Sequence, residues 1–341
     1  MENLYELAQT VLQAGEAADP SEAASERFTS VKLYGAAARE NEAAAESDSS
    51  YHLENESGTG DIAIYRVFPG IELVYNDMHM AYCNKHQQPA PHVMEINYCK
   101  EGRCECLFRK RQYCYMSAGD LSFCSLHENA HQSEFPTSHY HGITVTIDFP
   151  AVTEEMKKVL ALLDVDLVRI KALSQADEFT IIRANPTIEH IFSELYKVPA
   201  AIRRGYIRVK VLELLLILTE LDPAEDPARR TYFPAAQIET FKQLHAFLVE
   251  HFHEHYTIDE LSERFQLSST VMKKCFHSVY GDSVYAYMKK YRLQIAERLL
   301  RESTLPIGEI AAQVGYLNPN KFTSAFCTAY GVPPTAYRKK V

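Results

Sequence analysis

Three kinds of side chain stand where they could do chemistry. Imidazoles and carboxylates come first. His92 and Glu95 lie in PHVMEINYCKEGRCEC, and HYH at 139 to 141 puts two imidazoles on the same side of an extended segment, with His79, His86, His127 and His131 nearby in sequence. Such groups suit a metal, which needs several ligands converging at about 2 Å, or hydrogen bonds that orient a small molecule. Thiols come second. Six of the eight cysteines fall between Cys83 and Cys124. Cys104 and Cys106 straddle Glu105 and would share one face of a strand; with Cys99, Cys114 and Cys124 they could form a thiol or metal sensor. Free cysteine also fills β cores, no CxxC occurs, and core packing is the stronger reading.

Amines, amides and hydroxyls come third, in a phrase written twice. SSTVMKKCFHSVYG, Ser268 to Gly281, returns about fifty residues later as NKFTSAFCTAYG, Asn320 to Gly331. At an offset of 50, Met272, Phe276, Tyr280 and Gly281 fall on Phe322, Phe326, Tyr330 and Gly331; upstream, at an offset of 49, Ile258 and Leu261 fall on Ile307 and Ile310. Outside the apolar positions stand Ser269, Thr270, Lys273 and Lys274 in the first copy and Asn320, Lys321, Thr323 and Ser324 in the second. Lysine can donate to guanine or neutralise phosphate, threonine offers a hydroxyl or a methyl, and asparagine can make a bidentate pair with adenine.

The elements that must position these groups read as two helices per copy, joined by a tight turn. TIDELSERF buries Ile258, Leu261 and Phe265, QLS turns the chain, and Ser268 caps a helix turning Met272, Cys275, Phe276 and Val279 inward. PIGEIAAQV opens at Pro306, Gly315 supplies the turn, and Asn318 caps a helix burying Phe322, Ala325 and Phe326. Two helix-turn-helix units result. SVYAYMKKYRLQIAERLLRES between them predicts one continuous helix with Val284, Tyr287, Tyr291, Ile295 and Leu299 on one side and Lys289, Lys290 and Arg292 flanking it. A rod of about 20 residues spans roughly 30 Å, close to a turn of B-DNA. Base-contact candidates are Thr270, Lys273, Lys274, Asn320, Lys321 and Ser324; phosphate candidates are Ser269, Lys289, Lys290, Arg292 and Thr323.

Upstream the period changes. IAIYRVF, IELVYND, HVMEINY, RCECLFR, YCYMS, LSFCSL and ITVTIDF are short β-rich runs between turn signals, as in a sandwich or small barrel. Beyond Pro150 the pattern is helical, and its greasiest part, VKVLELLLILTEL, is apolar on nearly every side, as a helix buried between lobes or against a second subunit would be. The expected domains are an N-terminal helix (Leu4, Leu7, Ala8 and Leu12 at helical spacing) with an acidic Ala/Glu/Ser-rich arm (1–57), a β-rich domain (58–150), a helical dimerisation or coupling region (151–222), a linker (223–239) and a DNA-binding domain (240–341).

Charge follows this division. From residue 240 onward there are 13 Lys and Arg against 9 Asp and Glu, and in the remainder 22 against 36, so a basic tail follows an acidic front. A polyanion partner is expected for the tail alone. No apolar run reaches membrane-spanning length, and MENLYELAQT has acidic residues where a signal peptide needs basic ones; the chain is expected in the cytoplasm, with its thiols reduced.

Over about one hundred residues the tail resembles the AraC/XylS family of transcription regulators: YRLQIAERLLREST followed by PIGEIAAQVGYLNPNKFTSAFCTAYGVPPTAYRKK looks like that family's linker helix and second helix-turn-helix. The resemblance implies promoter DNA as partner, a homodimer, response to a small-molecule effector, and RNA polymerase as a further partner if the protein activates. The chain departs from the family's pattern where Ser324, Cys327 and Ala329 replace basic residues and where Gln266 replaces a glycine in the first turn. The strand-rich region more weakly resembles the cupin-like barrel that often precedes such a tail, with His92, Glu95 and Tyr98 as effector-pocket candidates. Metal-binding cupins carry two histidines in this stretch, and position 90 here is Ala, so no complete metal set is nominated. The expectation is a multidomain protein, a β-barrel, cupin-like N-terminal domain plus an all-α C-terminal domain, acting as a sequence-specific regulator without catalytic residues or a cofactor. The alternative is a cupin-type metal-dependent enzyme or a metal or thiol redox sensor in the N-terminal domain.

Overall fold

Alternating apolar residues between turn-forming pairs dictate the first unit, residues 1–232, and a 3.6-residue period dictates the second, residues 233–341. The structure, a computed structural model, describes residues 28, 30, 38–40, 47–84, 90–108, 112–126, 132–175, 180–221 and 233–339. The helix expected at residues 3–12 and most of the acidic arm lie outside these.

Strands β1 (Ala38–Glu40), β2 (Ser49–Asn55), β3 (Gly58–Phe68), β4 (Ile71–His79), β5 (Tyr82–Asn84), β6 (Ala90–Gly102), β7 (Cys104–Phe108), β8 (Gln112–Met116), β9 (Leu121–Leu126), β10 (Gln132–Glu134), β11 (Tyr140–Asp148) and β12 (Thr180–Ile182) build the first unit with helices α1 (Glu154–Leu162), α2 (Leu167–Gln175), α3 (Pro186–Leu195) and α4 (Arg203–Thr219). The larger sheet has the order β1-β2-β3-β4-β11-β6-β9-β12; β8, β7, β10 and β5 are neighbours in that order in the smaller one, and the pairings are antiparallel.

Each face of the larger sheet has its own core. Toward the helices, Leu73, Met94, Ile96, Tyr98, Phe123, Ile143 and Val145 pack with Phe192, Val211, Leu214 and Leu218. Toward the smaller sheet, Ile62, Ile64, Val74, Val93 and Cys99 pack with Cys106, Cys114 and Met116. Four structural features bear on the expected division. Residues 49–55 are a strand, not part of a solvated arm, because Leu53 is buried beside Ile62 in this core. Ala38–Glu40, within the same Ala/Glu/Ser-rich stretch, pairs with β2. The described helices after residue 150 share the sheet's core, and β12 joins the sheet through β9, so they form a layer of the first unit. Residues 235–239, expected in a linker, open the first helix of the second unit.

Among the described residues of the N-terminal unit, buried Asp120 pairs with partly buried Arg183 and fixes a turn. Asp120, 2% exposed, accepts from Arg183 Nη1 at 2.5 Å, from the Ser117 N–H at 2.7 Å and from the Ala184 N–H at 3.1 Å. Three donors satisfy the carboxylate, which offsets its desolvation.

From Ala235 on, the regular elements of the second unit are helices: α5 (Ala235–Glu250), α6 (Ile258–Arg264), α7 (Ser269–Tyr280), α8 (Val284–Glu302), α9 (Ile307–Gln313), α10 (Pro319–Tyr330) and α11 (Pro334–Arg338). Stacking of His245 on Tyr280 and its edge contact with Tyr287 bring α5 against α7 and α8. Leu293, Ala296, Leu300, Ile310, Ala311, Val314, Phe322 and Phe326 form the core of the last helices. The buried stripe of α8 is Val284, Met288, Arg292, Leu293, Ala296 and Leu300. Of the expected stripe only Val284 is fully buried; Tyr287, Tyr291, Ile295 and Leu299 are partly covered. Helices from both halves contact α8, so its covered face is wider than one amphipathic stripe.

Candidate nucleic-acid interface

Each expected reader is a 12-residue helix held at both ends by its own sequence. Ser268 Oγ accepts from the Val271 N–H at 3.3 Å, and Asn318 Oδ1 accepts from the N–H groups of Asn320 at 2.9 Å and Lys321 at 3.4 Å. Both helices end at left-handed glycines, Gly281 and Gly331. Helix α6, the support of the first reader, starts from a reciprocal pair in which Thr257 Oγ1 accepts from the Glu260 N–H and Glu260 accepts from the Thr257 N–H. Of the expected inward residues, Met272, Cys275, Phe276 and Val279 are buried in α7 and Phe322 and Phe326 in α10, while Ala325 is partly covered.

The two turns solve one backbone problem differently. Gly315 takes φ 82°, and a β-carbon there would lie 2.4 Å from the His253 carbonyl oxygen. Gln266, at the matching place in the first helix-turn-helix, takes φ 54° with a full side chain. Glycine enters that region freely and other residues do so at a cost.

With the apolar faces turned inward, Thr270, Lys273 and Lys274 of α7 are exposed, as are Asn320, Lys321 and Ser324 of α10. Ser269 and Thr323 are partly covered, and the Thr323 hydroxyl donates to the Pro319 carbonyl, which commits its proton within the helix. Lys289 is partly covered, while exposed Lys290 pairs with Asp282 at 2.7 Å, a surface contact that holds it weakly. Two further residues were missed from sequence. His277 is exposed one turn beyond Lys273 and Lys274 and extends their stripe, as its i+3 and i+4 spacing signalled. Leu317, in the second turn, is 99% exposed; no periodicity marks it.

Arg292 is the one phosphate candidate whose burial removes it from the set. It is 6% exposed; Nε donates to the Phe252 carbonyl and Nη2 to the Glu254 carbonyl, each at 2.6 Å. Nη1 lies 3.2 Å from His255 Nδ1, and His255 Nε2 lies 2.8 Å from the Gly315 carbonyl. A carbonyl only accepts, so His255 carries its proton on Nε2 and receives the Arg292 bond on Nδ1. The guanidinium thereby ties α8 to the segment after α5 and, through His255, to the second turn.

The three effector-pocket candidates diverge. Period-two alternation sends Met94, Ile96 and Tyr98 to the helix side and Val93, Glu95, Asn97 and Cys99 to the inter-sheet side. Tyr98 stacks on Phe192 at 4.2 Å, and burial pushes its hydroxyl up to about 12. His92 sits at a bulge, its side chain 46% exposed, with Nε2 3.9 Å from Asp148. Glu95 alone of the three faces between the sheets, buried, with Cys124 Sγ 3.7 Å from Oε2. Register sets Glu72, Thr146, Glu95 and Cys124 side by side across four strands, next to a chain in which Asn76 donates to Thr144 and Thr144 donates to Asn97. These residues form a polar belt, while the expected trio does not share one face.

The thiols follow the core-packing reading. Cys83, Cys99, Cys106 and Cys114 are buried. Burial raises the thiols of Cys99 and Cys114; that of Cys106 is raised by its hydrogen bond with Cys104 and by burial, the reverse of what a reactive thiolate needs.

Residues 261–340 match a family model described as a helix-turn-helix domain. Over 86 residues the chain is 34% identical to the RCS-specific HTH-type transcriptional activator RclR of Escherichia coli strain K12, covering 25% of this chain and 30% of that protein. It is 27% identical over 128 residues to the HTH-type transcriptional regulator ExsA of Pseudomonas aeruginosa, covering 38% of this chain and 46% of that one. Among solved structures, the C-terminal domain of the two-component response regulator yesN from Fusobacterium nucleatum is 29% identical, with a TM-score of 0.28, covering 29% of this chain and 98% of that one. The chain thus spans less than half the length of these two curated relatives.

Proposed function

From a C-terminal unit that is an AraC-type helix-turn-helix domain, we propose that this protein is a sequence-specific transcription regulator whose two readers enter successive major-groove segments of one duplex. The observation that carries this reading is the pair of capped helices, each with its apolar side in a core and its amines, amides and hydroxyls facing out. Helix α8, 19 residues or about 28 Å long, joins the two helix-turn-helix motifs and is close to the rise of one DNA turn. Lys273 and Lys274 supply phosphate neutralisation or guanine contacts, Thr270 and Asn320 base-edge contacts, and Lys321 and Ser324 weaker ones.

The test is salt-dependent binding to promoter fragments mapped in the source organism. Wild type binds with a steep negative slope of log affinity against log salt; Lys273→Ala with Lys274→Ala flattens that slope by about 2 if both touch phosphate. Indifference of the full chain to every duplex at low salt overturns the reading.

Dimerisation is supported by α4 and its approach. Ile202, Val209 and Leu216 recur every seven residues, and they are 56%, 60% and 44% exposed. A stripe of that period suits a second helix of the same kind. Val209→Glu with Leu216→Glu leaves monomers in sedimentation if the stripe is the interface. The inter-sheet belt around Glu95 offers acceptors for a small polar effector, with Glu95→Gln expected to change effector response and not DNA affinity in its absence. RNA polymerase is the further partner if the protein activates. A cytoplasmic location follows from this role; no described helix is long and apolar enough to cross a membrane.

A further inference from the structure

At one end of the larger sheet, away from the polar belt, three imidazoles face one another. Strand register explains why. In the β4–β11 pair, Tyr140 stands opposite Met78 and His141 opposite Asp77, so His139 and His79 flank the end of the ladder. Tyr140 turns into the inter-sheet core and stacks on Phe135, which throws its neighbours His139 and His141 to the opposite face. Asp77 and His79 share that face, since Met78 between them is in the inter-sheet core. Gly102, φ 82°, closes β6 against this corner: a β-carbon there would lie 1.9 Å from the His139 carbonyl oxygen, so only glycine lets the strands come so close.

The ring centroids are 5.2 Å apart for His79 and His139, 5.5 Å for His79 and His141, and 4.6 Å for His139 and His141. Three imidazoles on a tetrahedral ion with metal–nitrogen bonds of about 2.1 Å have centroids roughly 5.2 Å apart. The three nitrogens lie within 4.8 Å of one another, so modest rotation about the side-chain bonds brings them onto one ion. Carboxylates stand on both flanks. Asp77 Oδ1 is 2.9 Å from His79 Nε2 and in contact with His141 Nε2; Glu101 Oε2 is 3.6 Å from His139 Nε2 and 4.0 Å from His141 Nδ1. His141 Nε2 is screened from solvent, with the Asp77 carboxylate as its close neighbour.

We propose that His79, His139 and His141 form a binding site for a divalent transition metal of the zinc class, with Asp77 and Glu101 supplying the compensating negative charge. Imidazole donors suit Zn²⁺, Co²⁺, Ni²⁺ and Cu²⁺ rather than Ca²⁺ or Mg²⁺, which take oxygen. The site is on the helix-side face of β4 and β11, not among the residues around Glu95, and it stands whether or not the protein regulates transcription.

The experiment uses the full chain, stripped with chelator, desalted and titrated with Co²⁺. Tetrahedral visible absorption should saturate at about one Co²⁺ per chain and be displaced by Zn²⁺. His139→Ala and His141→Ala should each weaken binding by about tenfold or more, whereas Cys104→Ser with Cys124→Ser should leave it unchanged. His79→Gln, at an exposed position and checked for native circular dichroism, decides the matter if the other histidine variants fail to fold: a loss of about tenfold or more supports the site. Absence of saturable uptake, uptake that persists in folded histidine variants, or uptake that follows the cysteines overturns it.

Discussion

Gln266 occupies a left-handed backbone position that its counterpart Gly315 occupies without penalty. A non-glycine residue there costs about 1–2 kcal/mol, and glycine loses part of the gain to its greater freedom when unfolded. Gln266→Gly should therefore raise the stability of the second unit by about 0.5–1 kcal/mol in denaturant titration, with DNA affinity unchanged; a lower midpoint would show that the side chain contributes more than the backbone loses. His245 gives the pH-dependent counterpart. Stacked on Tyr280 and 2.7 Å from the Tyr287 hydroxyl, it is held by burial at about 4 instead of 6.5. The folded state resists protonation, so this group's contribution is full above about pH 6.5 and is lost as pH falls toward about 4. Partial exposure limits the effect to about 1–3 kcal/mol. His245→Gln should flatten stability between those pH values; an unchanged slope would assign the acid sensitivity elsewhere.

At the scale of elements, caps and clamps decide whether the readers are presented at all. Asn318 satisfies two N–H groups at the start of α10. Asn318→Ala should cost about 1–2 kcal/mol and weaken contacts made by the second reader more than those of the first, as base-substitution footprints across the site would show. Arg292 fastens α8 to two carbonyls and, through His255, to the second turn. Removing the guanidinium leaves those buried acceptors unpaired, so Arg292→Met should destabilise by about 3 kcal/mol and lower DNA affinity without changing the salt slope. A reduced salt slope with unchanged stability would return Arg292 to the phosphate set.

At the scale of the molecule, separate cores imply separate responses. Asp120 and Arg183 lie in the first unit and Arg292 in the second. Asp120→Ala leaves the partly buried Arg183 guanidinium with the Tyr115 carbonyl and the Cys114 sulfur but without its carboxylate, and should lower the midpoint of the first unit's calorimetric transition, while Arg292→Met acts on the second. If both substitutions shift one shared transition, the units unfold as one.

What the residues alone determined was local and periodic. Serine and asparagine caps, turn glycines and the 3.6-residue spacing of Met272, Phe276, Phe322 and Phe326 specify the paired helices, because each signal acts within a few residues of chain. The period-two runs likewise placed strands, since alternation is a property of the extended backbone. Only tertiary structure decided which face of β6 meets which core, and so parted Tyr98 from Glu95. It also decided that Arg292, charged and flanking an amphipathic helix, is buried by carbonyls from a segment some 40 residues away. The gathering of His79 with His139 and His141 is of the same kind: strand register brings them together over about sixty residues, and register is set by pairing and burial across the whole sheet.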